Sequence, residues 1–379
     1  MAPGLSSMLR VLVANIPLSA NRFLVDLNEA LARQCEVVHG GDSFWTMTGE
    51  HDVVQLHFPE YLTYDIEASY RNGLTAETID AVETRLRYWS GRASIVVTRH
   101  NLLPHDASAD AVWERMYETV YRYADGVVHF AHASVEEFRE RYRHTRFHRG
   151  QPLHAIIPHH NYLSLPNDTD RDGARKTLGI PRDASVMLVF GSIRGEAERQ
   201  LVLDTFRGIR QPAPVLLVSR WNEKLAEVSL IRLKYWLRDI TRLYYRLHPR
   251  YRLNYGFIEE NDTQLYLNAA DVLFIPRLHV LNSGNITLGM TFGRVVVGPD
   301  SWDVGELLRE TGNPVFDPDR PETAAAAVDK GFDLARQGKV GAANKQLALS
   351  QWSADQCAER YVQFFRELDS RVEVAVMHV

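Results

Sequence analysis

The sequence predicts an α/β protein of two Rossmann-like, doubly wound domains facing each other across a cleft. Three observations carry that expectation. Short apolar runs alternate with amphipathic helical windows along most of the chain, the pattern of βαβ units on parallel sheets. Several runs are continuous rather than alternating, as strands buried on both faces require. A polar, proline-containing stretch, Asn161–Asp172 (NYLSLPNDTDRD), interrupts the alternation near the middle, which is linker composition.

In order, the expected strands of the first half are Leu9–Ala14, Val53–Phe58, Ser94–Thr98, Gly126–Phe130 and Ala155–Pro158. Helical windows at Asn21–Arg33, Ala76–Trp89, Ala111–Tyr123 and Val135–Tyr142 separate them. After the linker come Val186–Phe190, Val215–Ser219, Tyr251–Phe257, Asp271–Ile275 and Val295–Gly298, then a closing amphipathic helix, Ala354–Leu368. The expected division is 1–163, 164–352 and a terminal segment 353–379, in keeping with ~150 residues per domain.

Composition narrows the classes. The 379 residues are 45% hydrophobic and 24% charged, with a net charge of -5, ordinary for a globular protein with a core and not for a general nucleic-acid binder. Phosphate recognition must therefore be local. Cys35 and Cys357 stand far apart without metal-ligand spacing, which fits a reducing compartment. No run reaches the roughly 18 apolar residues of a membrane span. The first residues lack a basic segment followed by an apolar one, so a cytoplasmic setting is expected.

Doubly wound domains bind ligands at the carboxyl ends of their strands, and the residues there are informative. Leu56-His57-Phe58-Pro59-Glu60 closes one strand. His100-Asn101-Leu102-Leu103-Pro104-His105-Asp106 follows another. Imidazoles and carboxylates at such positions exchange protons near neutral pH or bond sugar hydroxyls; they also serve as plain backbone caps. Ile157-Pro158-His159-His160-Asn161-Tyr162 ends the last strand before the linker, where His159 faces the cleft or belongs to the hinge. In the second half Phe190-Gly191-Ser192-Ile193-Arg194-Gly195 is a strand followed by a glycine turn, and Arg220 and Lys224 follow the next strand. A glycine turn and helix start suit a phosphate, and these two cations can clamp one. Leu281-Asn282-Ser283-Gly284-Asn285-Ile286-Thr287-Leu288 then opens an apolar helix with amides and a hydroxyl suited to an anion, and Gly293 ends it.

Taken together, LHFPE (56–60), HNLLPHD (100–106), IPHHNY (157–162), FGSIRG (190–195) and LNSGNITLGMTFGRVVVGPD (281–300) resemble the GT-B glycosyltransferases related to glycosyltransferase family 4, especially the bacterial exopolysaccharide and capsule branch. The resemblance runs over nearly the whole chain. It implies a transferase of polysaccharide or glycoconjugate biosynthesis, moving a hexose from a GDP- or UDP-linked sugar to a glycan or lipid-linked acceptor. The donor nucleotide sugar would be held by Gly191, Arg194, Arg220, Lys224, Ser283, Gly284 and Asn285 of the second domain. The first domain would bind the acceptor through His105 and Asn101, with His100, Glu60, His57 and Asp106 as catalytic candidates. If the reaction inverts, one of Glu60, His100 or Asp106 takes the acceptor proton; if it retains, they position the acceptor. The terminal helix would cross back onto the first domain.

Two departures accompany the resemblance. Retaining members of family 4 carry two glutamates eight positions apart around the last loop and helix, and Ile286-Thr287-Leu288-Gly289-Met290 has neither. The glycine turn is usually followed by lysine, whereas Glu196-Ala197-Glu198-Arg199 follows it here, leaving that role to Arg199 or to Arg220 and Lys224. No cofactor or metal is implied: Asp168-Thr169-Asp170 and Asp317-Pro318-Asp319 match a metal-binding pattern by letter but lie in loop composition. A GT-B sugar-nucleotide epimerase and a non-catalytic nucleotide-sugar-binding protein are the alternatives.

A last feature is basic. Within Leu230–Arg252, the residues Lys234, Arg238, Arg242, Arg246 and Arg250 recur every fourth position, joined by Arg232 and Arg252 and opposed by Asp239 alone. Read as one helix, they form a slowly drifting stripe suited either to solvent or to an anionic membrane surface, as a peripheral protein would use it.

Overall fold

The computed structural model describes residues 8–18, 21–104, 110–221 and 242–376, the side chains of 71 and 370–376 excepted. His105, Asp106, Lys224, Arg232, Lys234, Arg238 and Asp239 lie outside the described residues. The chain divides into two compact units, residues 1–160 with 352–379 and residues 161–351.

The first unit is a six-stranded parallel sheet of β1 (Arg10–Val13), β2 (Glu36–His39), β3 (Val53–Leu56), β4 (Ser94–Thr98), β5 (Gly126–His129) and β6 (Leu153–Ile156), in the order β2-β1-β3-β4-β5-β6. Every residue of β3, β4 and β5 is buried, because helices cover both faces. On one face, helices Ala76–Ser90 and Ala111–Arg122 bring Trp89, Trp113 and Tyr121 against Val54, Ile95 and Val97. On the other, helix Arg22–Ala32 and the terminal helix Ala354–Val376 bring Phe23, Leu27, Tyr361 and Phe365 against Val11, Val53 and Val96. The terminal helix lies so close to β5 that a Cβ on Gly126 would stand 2.7 Å from the Phe364 ring. Helix starts follow local chemistry: the side chains of Asn21, Thr75 and Asp110 each accept a first-turn amide that has no intrahelical partner.

The second unit holds β7 (Ser185–Ser192), β8 (Pro214–Arg220), β9 (Tyr251–Leu253), β10 (Val272–Phe274), β11 (Val295–Pro299) and β12 (Val315–Phe316), all parallel. β7 and β10 are central, with β8 and β9 to one side and β11 and β12 to the other, the strand order of dinucleotide-binding folds. Two doubly wound α/β sheets are therefore present, as the sequence predicts. Buried Arg175 fastens the start of this unit, donating to the carbonyls of Ala269 (3.0 Å) and Ala184 (2.8 Å) and pairing with Asp271 at 2.8 Å.

The basic stretch needs correction. Residues 242–247 are helical, but the helix stops before Pro249, whose ring and missing N–H cannot continue it, and β9 begins at Tyr251. Arg250 and Arg252 thus belong to a turn and a strand. Arg252 donates to the Gly179 carbonyl at 2.7 Å, and the Arg250 guanidinium lies over the Phe206 ring. One continuous stripe reaching Arg252 does not form.

Candidate functional site

In the first unit the chain leaves β1 and β3 in opposite directions, since β2 pairs on one side of β1 and β3 on the other. Such a switch point leaves a crevice at the strand ends. Asn15, just after β1, organises it. Its Oδ1 accepts the His57 amide at 2.8 Å, and its Nδ2 donates to the Phe58 carbonyl at 2.7 Å. One carboxamide thereby fixes the chain leaving β3.

Imidazoles gather around that point because each follows a neighbouring strand: His57 after β3, His100 after β4, His159 and His160 after β6. His57 Nδ1 and His100 Nε2 share a hydrogen bond of 3.1 Å. Phe58 stacks on His100 with ring centres 4.1 Å apart. Phe23, at the start of helix Arg22–Ala32, touches His100, His159 and His160 at 5.2, 4.4 and 4.8 Å. Its carbonyl lies 2.9 Å from His160 Nε2. Burial pushes His57 and His159 down to about 3 and lowers His100 well below the ordinary histidine range, with His57 and His159 adding to the effect on His100. These three rings are neutral at physiological pH. His57 Nε2 is buried without a hydrogen-bond partner.

Glu60 occupies the single turn Pro59–Tyr61 and is 3% exposed. The Tyr117 hydroxyl donates to its Oε2 at 2.8 Å. Burial drives the carboxyl up to about 7, although its own amide and Tyr117 favour the anion. It therefore titrates where a general base is most useful. Asn101 is half-buried beside His100.

In the second unit the switch point falls between β7 and β10. Gly191 has φ +88°, with open space where a Cβ would stand. It lies within β7, at the irregularity between Val189 and Ser192, rather than in a turn, and two amides here are occupied: Gly191 N donates to Ser219 Oγ at 2.7 Å, and Arg194 N to Glu198 Oε2 at 2.8 Å. At Gly191 itself the strand end offers a ligand room rather than a free N–H group. Glu198 also receives Arg277 Nε at 3.2 Å, so Arg277, just beyond β10, braces the turn after β7. Asn285 Nδ2 does the same from the helix Gly284–Thr291, donating to the Phe190 carbonyl at 2.8 Å. Ser283 is the N-cap of that helix, and its side chain makes no capping bond. The amides of Gly284 and Asn285 that open the helix have no intrahelical acceptor. A Cβ on Gly289 would meet Leu273 and Val296 at 2.8 Å, so glycine lets this helix lie against β10 and β11. Arg220, at the end of β8, is exposed, and its guanidinium makes no hydrogen bond or ion pair with a described residue. Arg199 is instead paired with Glu196 and lies near the Trp221 ring.

No protein-family model matches the chain, and no curated protein matches it by sequence. Solved structures do match. Sucrose-phosphate synthase from Thermosynechococcus elongatus aligns over 96% of this chain and 99% of its own, at 14% identity and a TM-score of 0.64. HepE from Anabaena in complex with UDP aligns over 94% and 99%, at 13% identity and a TM-score of 0.65. The catalytic domain of starch synthase IV from Arabidopsis thaliana, bound to ADP and acarbose, aligns over 86% and 74%, at 11% identity and a TM-score of 0.54. The chain has the GT-B fold. At these identities the likeness is one of architecture, and the chemistry must be argued from the residues.

Those residues form one set per unit. The strand ends of the first unit bring together His57, His100 and His159, and place Glu60 against Tyr117. Those of the second gather Gly191, Ser283, Gly284 and Asn285 around β7 and β10, with Arg220 at the end of β8 and Arg194 in the β7 turn. Asn15 and Arg277 were missed, although each stands at a strand end like the residues singled out. Of the Asp-x-Asp residues, Asp170 caps helix Arg171–Thr177 by accepting the Gly173 amide at 2.7 Å, and Asp317 pairs with Arg320 at 2.7 Å. A cavity of about 850 Å³ lies instead beside the edge strand β9, bordered by Leu243, Tyr245, Leu247, Tyr251 and Tyr255 with Leu178, Leu217 and Tyr266.

Proposed function

We propose that the chain is a glycosyltransferase that moves a hexose from a nucleoside diphosphate sugar to a glycan or lipid-linked saccharide. The second unit holds the donor and the first the acceptor. The observation that carries this reading is the β7–β10 switch point, where Arg220, unpaired among the described residues, and the uncapped start of helix Gly284–Thr291 accompany Gly191 at the end of β7. Arginine and helix amides together are a diphosphate-binding chemistry. That HepE is in complex with UDP and with UDP-glucose favours a UDP-linked donor over a GDP-linked one. The neutral His57–His100 pair supports His100 as the group that meets the acceptor hydroxyl, with Glu60 as its rival for the proton.

The reading extends to one surface. In the helical residues 242–247, Leu243, Tyr244 and Leu247 are 54%, 54% and 73% exposed beside exposed Arg246. Apolar side chains beside a cation suit an anionic lipid surface, where a lipid-linked acceptor would be met. Incubating the protein with UDP-glucose, with and without a panel of saccharide and lipid-linked acceptors, tests the transferase reading. Release of UDP that depends on acceptor is expected. Conversion of the sugar nucleotide without acceptor would make the chain an epimerase, and binding without turnover a carrier.

A further inference from the structure

The carboxyl ends of β1 and β2 border a cavity of about 310 Å³ that the account above leaves without an occupant. Its size is at the lower end for a small-ligand site, roughly 300–1,000 Å³. One wall is a single side of helix Arg22–Ala32, where Val25, Asn28, Glu29 and Ala32 recur at helical spacing. Leu18 after β1 and His39 after β2 contribute to the rest. Asn15 also lines it, and the same side chain holds the His57 amide, so the cavity shares a residue with the imidazole cluster.

The lining discriminates between ligands. It is largely apolar, and Glu29 and His39 are solvent-exposed. Asn15 already spends its carboxamide on His57 and Phe58. Asn28 differs, because its Oδ1 is buried and accepts no hydrogen bond. A buried carbonyl oxygen left unpaired is unfavourable, and a ligand bringing one donor would relieve it. A saccharide would bring a hydroxyl on nearly every carbon, and most would meet apolar walls without a partner. An apolar chain or ring with a single donor matches the lining.

We infer that this cavity receives the apolar, non-sugar part of the acceptor: a chain or ring whose one hydroxyl or amide N–H donates to Asn28 Oδ1. Only the word acceptor rests on the transferase reading; the class of ligand rests on the cavity. The test uses the full chain with 1-octanol as probe, methyl heptyl ether as a probe of similar length lacking the donor, and glucose as the polar control. Binding is followed through the methyl NMR signals of Leu18, Leu24 and Val25, with UDP binding measured on the same samples. Octanol should shift these methyls and bind at least ten-fold more tightly than the ether. Asn28→Leu should erase that preference, and Ala32→Trp, which fills the cavity, should abolish binding, both with UDP affinity unchanged. Glucose shifting the methyls as octanol does, equal affinity for alcohol and ether in the unsubstituted protein, or no shift with octanol would each overturn the inference. Octanol binding as described in a protein that ignores UDP would uphold the cavity's ligand class and sink the transferase reading instead.

Discussion

His100 is held between the His57 imidazole and the face of Phe58, so its orientation is fixed before any substrate arrives. Replacing it by alanine should lower turnover about 10²-fold, the scale of a lost general base or key positioning group, while UDP affinity stays put. Glu60→Gln, which keeps the shape and removes the base, is the matched variant. A dead Glu60→Gln beside a merely slow His100→Ala would give the proton to the carboxylate, and full activity in both would remove this strand-end cluster from the chemistry. The same burial has a consequence for stability. His57 and His159 titrate near 6.5 when unfolded and at about 3 when folded. Between those limits the unfolded chain binds more protons, so stability is complete above about pH 6.5 and falls as the pH drops towards 3. Glu60 acts with the opposite sign: folded, it titrates at about 7, so what it contributes below pH 4.5 is lost as the pH rises through 7. His159→Phe should therefore flatten the acid limb of stability by up to about 1.4 kcal/mol per pH unit, read by denaturant titration from pH 6 to 4. An unchanged slope would mean that this imidazole charges freely in the folded protein. The imidazoles themselves were legible in the sequence, since each directly follows an apolar run. Their contact was not, because it depends on β3 and β4 being neighbours in the sheet. Asn15 and Arg277 escaped notice because a lone polar residue after a strand has no local pattern; only its partners across the sheet reveal what it does.

Strands and helices were read from continuous apolar runs and amphipathic windows, and the central strands lie where those runs are purest. Edges were harder. β9 is Tyr251–Leu253 rather than a run to Phe257, because an edge strand pairs on one side only and its last residues gain nothing from staying extended. Charge spacing alone overran the helix before it, whose stop is written in Pro249 rather than in the arginines. The proposed membrane contact belongs to that helix. Arg242 is engaged over the Tyr255 ring, which leaves Arg246 with Leu243 and Leu247 to meet a surface. The protein should co-sediment with vesicles containing phosphatidylserine and be released at high salt, while Arg246→Gln with Leu247→Ser should lose binding at little cost in thermal stability. Binding by the double variant equal to that of the unsubstituted protein would place any lipid contact elsewhere.

Both units follow one rule: parallel strands end together, and the polar residues just past those ends collect at the switch points. The rule made the two halves readable from sequence. The occupied amides of Gly191 and Arg194 were not readable, because Ser219 and Glu198 reach them only in the folded protein. Arg220 and the start of helix Gly284–Thr291 are the proposed donor-phosphate contacts among the described residues. Calorimetric titration with UDP and with uridine, for the unsubstituted protein and for Arg220→Ala, tests this most directly. UDP should bind far more tightly than uridine, and Arg220→Ala should weaken UDP by roughly 1.5–3 kcal/mol, the worth of a charge-assisted hydrogen bond, while leaving uridine nearly unaffected. Equal affinities for UDP and uridine, or equal losses for both in Arg220→Ala, would contradict a nucleoside diphosphate site at the second unit's strand ends.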